Sequence, residues 1–123
     1  LLGDWMTEDE MRIFMAGEQD ARAYYNEKPT MIVGFFHGTL SALLARGGLI
    51  LTISGPITYT LFHLVPIIRI SEKAISNPDH QYNEIYALGF ERVARSRKIV
   101  AALKGSAVGM LTGLATYLLF FQK

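Results

Sequence analysis

Residues 31–70 read MIVGFFHGTLSALLARGGLILTISGPITYTLFHLVPIIRI, and residues 99–121 read IVAALKGSAVGMLTGLATYLLFF. The first stretch holds only two charged residues, Arg46 and Arg69, and the second holds only Lys104. A helix of about 20 apolar residues is long enough to cross the hydrocarbon core of a bilayer. A soluble domain of 123 residues would instead distribute its apolar residues over amphipathic elements. The two stretches therefore predict an integral membrane protein.

The predicted fold class is an all-α membrane protein with two transmembrane helices, or three short ones as the alternative. The alternation of charged and apolar sequence divides the chain into four regions. They are an acidic amphipathic helical head at 1–30, a first transmembrane region at 31–70 that is kinked near residue 56, a basic polar helical loop at 71–98, and a second transmembrane helix at 99–123.

The head begins with a recognisable helix start at Thr7-Glu8-Asp9-Glu10. A threonine followed three residues later by glutamate predicts a capping box, and acidic residues in the first turn favour the helix dipole. We therefore expect a helix from about Glu8 to Tyr25, and Pro29 either ends this helix or starts the next one.

Small residues recur through the first apolar stretch at alternating spacings of four and three. This spacing keeps them on one side of a single helix over Met31–Gly55, about 37 Å long, and a small face suits close packing on a neighbouring helix. Pro56 and Pro66 interrupt the apolar stretch, so the segment from Pro56 to Ile70 is a kinked continuation, an interfacial segment or a separate span. A tight hairpin at residues 46–48 is a further alternative, against which the unbroken row of small residues argues. That row is Gly34, Gly38, Ser41, Ala45, Gly48, Thr52 and Gly55.

The second apolar stretch carries a tandem GxxxG formed by Gly105, Gly109 and Gly113. The motif resembles the glycine zippers of small membrane subunits, among them those of mitochondrial ATP synthases, although the likeness covers only these three residues. The resemblance implies close helix–helix packing, within the chain or with partner subunits. On this hypothesis, a Gly109→Leu change removes the protein from its complex without unfolding the helix.

Arg46 is the most costly residue of the predicted first span, because a central arginine costs on the order of 3 kcal/mol or more. Neither apolar stretch holds an acid that could pair with Arg46, so the prediction is an ion pair with another subunit. The alternative is that Arg46 marks the membrane edge and that the true span is shifted towards Ile70.

His37 and His63 both lie in the first apolar stretch. Intramembrane histidines can ligate haem b or line a quinone pocket. In one continuous helix, however, the two residues would lie about 39 Å apart and could not share an iron. No cofactor is therefore expected, with haem b on His37 or His63 as the alternative, and no metal site.

The charges on either side of the spans predict the orientation. Seven Lys or Arg residues lie between Arg69 and Lys104, whereas the head carries three basic residues among seven acids. The positive-inside tendency then places the loop in the matrix, cytoplasm or stroma and both termini on the opposite side, the intermembrane space in a mitochondrion. Four clustered basic residues are the predicted binding site for anionic lipid head groups, such as those of cardiolipin, and the alternative is that they only set the topology. They are Arg92, Arg95, Arg97 and Lys98.

Enzymatic activity is not expected from this sequence. There is no cysteine, and no catalytic triad pattern, phosphate-binding glycine loop or HExxH motif is present. The net charge of +1 predicts no nucleic-acid partner. The predicted function is a non-catalytic accessory subunit, for assembly or stability, of an energy-transducing complex such as a respiratory complex or ATP synthase. The predicted location is the mitochondrial inner membrane. The alternatives are a redox membrane anchor that contributes to haem b or quinone binding, and a self-associating membrane-shaping protein.

Overall fold

The computed structural model describes residues 6–64 and 68–121, which contain helices and turns and no strand. The prediction of an all-α fold is confirmed. The chain divides into two compact units, one formed by residues 1–26 with 67–96 and the other by residues 27–66 with 97–123. The α-helices are α1 (Glu8–Tyr24), α2 (Lys28–Leu44), α3 (Leu49–Phe62) and α4 (Glu84–Phe120), and the single-turn 3-10 helices are Glu72–Ala74 and Pro78–His80.

Helix α1 begins as the sequence predicts. The Thr7 hydroxyl accepts a hydrogen bond from the Glu10 amide at 3.2 Å, and the Glu10 carboxylate accepts one from the Thr7 amide at 3.0 Å. This reciprocal pair satisfies two amides that the first helical turn leaves without partners. The capping box is thus confirmed, and the helix ends one residue before the predicted Tyr25.

Helix α1 packs against the first part of α4 at a pair of glycines in the first unit. A Cβ added at Gly17 would lie closer than 3.0 Å to the Tyr86 carbonyl oxygen, and one added at Gly89 would do the same to the Phe14 carbonyl. The two backbones are therefore in direct contact, which only glycine permits at this separation. Around this crossing the core of the unit is built from aromatic and alanine side chains, among them Phe90 and Ala21.

The head and the loop belong to the same folded unit. Segment 68–83 packs on α1, where Ala74 and Ile75 join the core around Phe90. Because one folded unit cannot lie on both sides of a membrane, the structure does not support the prediction that the head and the loop face opposite compartments. That prediction rested on two transmembrane helices, which would place the loop between them on the side opposite to both termini.

The prediction of a single helix over Met31–Gly55 is wrong, because the first apolar stretch forms two helices. Helix α2 ends at Leu44 and α3 begins at Leu49, and the turn between them has positive φ values of 49° at Arg46 and 81° at Gly47. Glycine adopts this left-handed conformation without steric cost, so Gly47 lets the chain reverse. The hairpin at residues 46–48, the alternative that the row of small residues argued against, is the one observed.

Pro56 lies buried inside α3, which continues to Phe62, so the chain that directly follows Pro56 continues a helix, which is one of the three predicted alternatives. The break lies instead at residues 45–48. Pro66, the second predicted interruption, falls outside the described residues.

Helix α4 joins two regions that the sequence analysis separated at residue 98. It is a continuous helix of 37 residues, about 55 Å long, with a polar first part and an apolar second part. Within the described residues, it is the one helix long and apolar enough to cross a membrane on length and composition alone. Helix α3 is apolar but shorter, with 14 residues.

Candidate functional site

The second unit is built around direct backbone contact between α2 and the second part of α4. A Cβ added at Gly109 would lie closer than 3.0 Å to the Phe35 carbonyl oxygen, so the helices touch at this glycine. Three such contacts follow one another at one-turn intervals along both helices, which therefore run parallel. The contacts pair Gly105 with Met31, Gly109 with Phe35, and Gly113 with Thr39.

The same contact is made from the α2 side. Cβ atoms added at Gly34 and Gly38 would also come closer than 3.0 Å to neighbouring atoms, with the Ser106 backbone among those that they meet. The Thr39 hydroxyl shares its one hydrogen between the Phe35 carbonyl of its own helix, at 2.8 Å, and the Gly109 carbonyl of α4, at 3.0 Å, so it also links the two helices. All five of these glycines on α2 and α4 therefore pack within the chain.

Helix α3 returns antiparallel to α2. A Cβ added at Gly55 would collide with the Ser41 side chain, and near the other end the Tyr59 hydroxyl donates to the Thr30 carbonyl at 2.8 Å. The row of small residues predicted on one helix is thus divided between two. Thr52 is buried on α3, where its hydroxyl donates to the Gly48 carbonyl at 2.8 Å, and Ala45 is buried at the turn.

Large apolar side chains of the second unit lie on its outside, whereas its interior is filled by small residues. The buried positions are mostly glycine, alanine, serine and threonine, and Tyr59 is the one large buried side chain that the structure describes there. Exposed large apolar residues cover all three helices. Those more than half exposed include Ile32, Val33, Phe36, Leu40, Leu44, Leu49, Ile50, Leu51, Ile57, Leu61, Phe62, Leu103, Val108, Leu111, Leu119, Phe120 and Phe121.

The first unit has the opposite distribution. Its core contains Phe14, Tyr86 and Phe90, each no more than 5% exposed, and its surface carries most of the charged residues. This is the arrangement of a water-soluble domain, in which large apolar side chains are removed from solvent. One chain therefore combines two units with opposite distributions of large apolar side chains.

A buried carboxylate, Asp20, organises the polar interior of the first unit. Asp20 is 7% exposed, and its Oδ2 atom accepts hydrogen bonds from the Ser76 amide at 3.0 Å and the Tyr86 hydroxyl at 2.5 Å. The Ser76 hydroxyl donates to the other carboxylate oxygen. These bonds connect α1, the loop and α4 through one side chain.

The hydrogen bonds of Asp20 also shift the pKa values of Asp20 and Tyr86. Burial favours neutral Asp20, but the hydrogen bonds from Ser76 and Tyr86, with a contribution from nearby His80, stabilise the carboxylate and bring the pKa of Asp20 below its usual value. Burial and the bond to Asp20 raise the pKa of Tyr86. Asp20 is thus held ionised and Tyr86 neutral, as a structural connection requires.

The predicted lipid-binding residues lie on α4, and acids of the chain engage two of them. Arg92 lies 3.8 Å from Glu18, and Arg97 lies 3.2 Å from Glu27. Arg95 is exposed. The basic cluster is therefore partly neutralised within the chain, which the sequence analysis did not anticipate.

Arg46 does not lie in the middle of a helix. It occupies the turn between α2 and α3, and its side chain is exposed at the end of the second unit. A turn position removes the cost of a central arginine, so the reason for predicting an inter-subunit ion pair no longer holds. Arg46 lines a cavity of about 470 Å³ together with Leu43, Leu44, Tyr117 and Phe121.

The hairpin brings His37 and His63 to the same tyrosine ring. The centroid of the His37 ring lies 5.2 Å from that of Tyr59, and the centroid of the His63 ring lies 4.5 Å from it. The predicted separation of about 39 Å is therefore wrong, because it assumed one continuous helix. His63 Nδ1 lies 2.8 Å from the Tyr59 carbonyl, so this nitrogen is the donor, and in the neutral ring Nε2 is then an acceptor.

Sequence reasoning did not find the Asp20 network. Ser76 and Tyr86 lie 56 and 66 residues from Asp20, and no local pattern distinguishes this aspartate from the other acids of the head. Within the described residues, no group of three or more histidine, cysteine, aspartate or glutamate side chains is placed to hold a metal ion. Comparisons with protein families, with curated proteins and with solved structures found no match to this chain.

Proposed function

We propose that this chain is an integral membrane protein whose second unit is embedded in the bilayer. The observation that carries the proposal is the reversed distribution of side chains, with small residues inside and large apolar residues outside. In water such a surface would be costly, since roughly 25 cal/mol is lost for each Å² of exposed apolar area. In lipid the cost disappears, and helices associate through close contact of small residues and interhelical hydrogen bonds.

The proposed topology has three membrane segments. Helices α2 and α3 enter and leave from the side of the head and the loop, because these belong to one unit. Helix α4 runs parallel to α2 and takes the C-terminal end to the other side. Helix α2 is about 25 Å long and α3 about 21 Å, which is shorter than a hydrocarbon core of about 30 Å, so local thinning of the bilayer accompanies them.

The polar unit then faces the compartment that attracts positive charge. Residues near the membrane segments on that side include Lys28, Arg69 and Lys98, whereas the turn on the opposite side carries Arg46. Under the positive-inside tendency, head and loop together lie in the matrix, cytoplasm or stroma. This topology replaces the predicted two-span topology, in which both termini lie on the same side of the membrane.

The proposed role is that of a non-catalytic accessory subunit of an energy-transducing membrane complex in the mitochondrial inner membrane. Two features support a structural role. The membrane unit is filled by glycine and alanine contacts that leave little room for a pathway, and the polar unit is held by a charge-assisted network suited to stability. Partners would meet the large apolar side chains on the outside, since the glycines already pack within the chain. Anionic lipids such as cardiolipin would meet exposed Arg95.

The deciding experiment is purification of the tagged protein from its native membrane in mild detergent. We expect the protein to resist extraction by alkaline carbonate and to co-purify with a fixed set of other membrane subunits. Mass determination of the solubilised particle separates the candidates. A particle that contains only copies of this chain would contradict the accessory-subunit proposal and support a self-associating membrane-shaping protein.

A second candidate function, a redox anchor, is favoured by one observation. His37, Tyr59 and His63 form one aromatic cluster, and His63 Nε2 is an available acceptor. Histidine nitrogens of this kind can ligate haem iron or bind the hydroxyl of a reduced quinone. A Soret band in the purified complex that disappears in His63→Ala would support the redox anchor, whereas an unchanged spectrum would exclude haem ligation by this residue.

A further inference from the structure

An apolar groove of about 700 Å³ lies between α2 and α4 on the outside of the second unit. Its volume falls within the range of small-molecule sites in proteins. Gly105 and Ala107 contribute little side-chain volume on α4, so the space beside the aromatic residues of α2 is left unfilled. The lining residues are Met31, Ile32, Phe35, Phe36, Lys104, Gly105, Ala107 and Val108.

Lys104 is the one ionisable residue among those that line the groove. Its side chain is exposed, and it forms no ion pair with any residue in the described ranges 6–64 and 68–121. An unpaired ammonium is costly in hydrocarbon, so a lysine in this position extends towards the polar interface or binds an anion. The groove thus combines an apolar channel with a single positive charge.

The position of Lys104 places that charge towards one end of the second unit. Lys104 lies seven residues, two helical turns or about 10 Å, beyond Arg97 on the same face of α4. Arg97 pairs with Glu27 at the start of the unit. Lys104 also lies next to Gly105, which contacts Met31 in the first turn of α2. The ammonium is therefore within reach of the depth at which lipid phosphates lie.

We propose that this groove binds one anionic phospholipid, with an acyl chain along Phe35 and Val108 and the phosphate on Lys104. The inference rests on the proposed membrane location. Charge complementarity favours this occupant. A neighbouring apolar helix would bury Lys104 without a counter-charge, and a zwitterionic lipid would add its own positive group near the ammonium. The site is separate from the basic cluster at Arg92–Lys98.

The test is native mass spectrometry of the full chain in mild detergent during titration with phosphatidylglycerol or with phosphatidylcholine of the same acyl chains. We expect the first phosphatidylglycerol to bind about fivefold more tightly, the factor that one lysine near an anionic surface contributes. Lys104→Met should abolish the preference, and Lys104→Gln should do so while keeping a polar side chain. Lys104→Arg should retain the preference, and Val108→Trp should weaken both lipids by occupying the groove.

Lys73→Met is the matched control, because it removes the same charge from an exposed position outside both the groove and the basic cluster. We expect this variant to keep the wild-type preference. An unchanged preference in Lys104→Met, or an equal loss in Lys73→Met, would overturn the site while leaving the membrane proposal intact. A stable dimer that no lipid dissociates would also overturn it, since a second copy would then occupy the groove. Extraction of the wild-type protein by alkaline carbonate would instead refute the membrane proposal itself.

Discussion

Asp20 connects three segments of the first unit through its two carboxylate oxygens. Replacing Asp20 with asparagine keeps the shape but removes the charge and turns one acceptor into a donor that faces Ser76 or Tyr86. Hydrogen bonds to charged groups contribute about 1.5–3 kcal/mol each in proteins, so we expect the unit to lose stability by at least one such bond. Hydrogen exchange of the α1 amides in the full chain measures this loss. Asp9→Asn is the control, because Asp9 is exposed on the same helix and should change stability by less than about 0.5 kcal/mol.

The shifted pKa values of Asp20 and Tyr86 predict the pH range over which the first unit is most stable. The pKa of Asp20 is lowered in the folded state, so its stabilisation is present above the unfolded value of about 3.9 and is lost as the pH falls through the folded pKa. The pKa of Tyr86 is raised, so its contribution is complete below the unfolded value of about 10 and is lost as the pH rises beyond it. The protection factors of the α1 amides, which remove the intrinsic pH dependence of exchange, should therefore fall at both extremes of pH. Tyr86→Phe should remove the alkaline dependence but keep the acidic one, and an unchanged alkaline limb would contradict this assignment.

Gly109 is the position at which added volume should do most harm to the second unit. Any side chain there meets the Phe35 carbonyl, so α2 and α4 must separate and the Thr39 hydrogen bond to Gly109 is lost. We expect Gly109→Leu to cost about 1–3 kcal/mol or more, a typical range for overpacking. Thermal unfolding in detergent measures the loss. Ala115→Leu is the matched control, because it adds volume at an exposed position of the same helix and should leave the midpoint nearly unchanged.

This expectation differs from the one that the tandem GxxxG suggested. Glycines that pack within the chain are not available to partner subunits, so Gly109→Leu should damage the protein itself before it affects any complex. Loss of a complex with an unchanged unfolding midpoint would support the earlier interpretation instead.

At the scale of elements, a substitution in the turn between α2 and α3 should change stability in opposite directions for a hairpin and for a single helix. Gly47 has a φ of 81°, and a Cβ added there would lie 3.1 Å from the Tyr117 ring. We therefore expect Gly47→Ala to destabilise the protein by roughly 1–2 kcal/mol, the cost of the left-handed conformation for an L-residue. In one continuous helix the same change would stabilise the protein by about 1 kcal/mol, since alanine is the better helix former. The sign of the shift in the unfolding midpoint thus distinguishes the hairpin from the single helix. The control is Gly48→Ala, because the φ of Gly48 is −71° while its added Cβ would also lie 3.1 Å from a neighbouring atom, the Ala45 carbonyl oxygen, so this change tests crowding without the left-handed conformation.

The elements also show which parts of the fold local sequence could predict. The capping box at Thr7 and Glu10 was predictable because its partners lie three residues apart and the rule is local. The hairpin was not, because small residues spaced by four and three suit one long helix as well as two short helices that each carry a small face. Only Gly47 distinguished the two, and a glycine within an apolar stretch is common in membrane helices.

The candidate site was predictable to a similar degree. The glycines of α2 and α4 were identified as packing positions from their spacing, but which helix each would meet depends on contacts about 70 residues apart, such as that from Thr39 to Gly109. The proximity of His37 and His63 was missed for the same reason, since it follows from the reversal of the chain at residue 47. Local patterns therefore identified the small faces but could not assign their partners.

At the scale of the molecule, the two units differ in which side chains they bury. One buries aromatic residues beneath a charged surface, and the other buries glycine and alanine beneath an apolar one. The chain passes from one unit to the other three times, at residues 26–27, 66–67 and 96–97, and these three points form the boundary between the units. If the boundary coincides with the membrane surface, head and loop share a compartment and the turn at Arg46 faces the opposite one.

Single cysteines can test this topology directly, because the natural chain has none. We expect Asp9→Cys in the head and Lys73→Cys in the loop to react with a membrane-impermeant maleimide from the same side of sealed vesicles. Arg46→Cys in the turn should react only from the other side. All three positions are exposed, so a failure to react from a given side reports on the membrane rather than on burial. A topology of two spans predicts that Asp9→Cys and Lys73→Cys react from opposite sides. That result would contradict the hairpin and the shared unit together, because both require the chain to return to the side from which it entered.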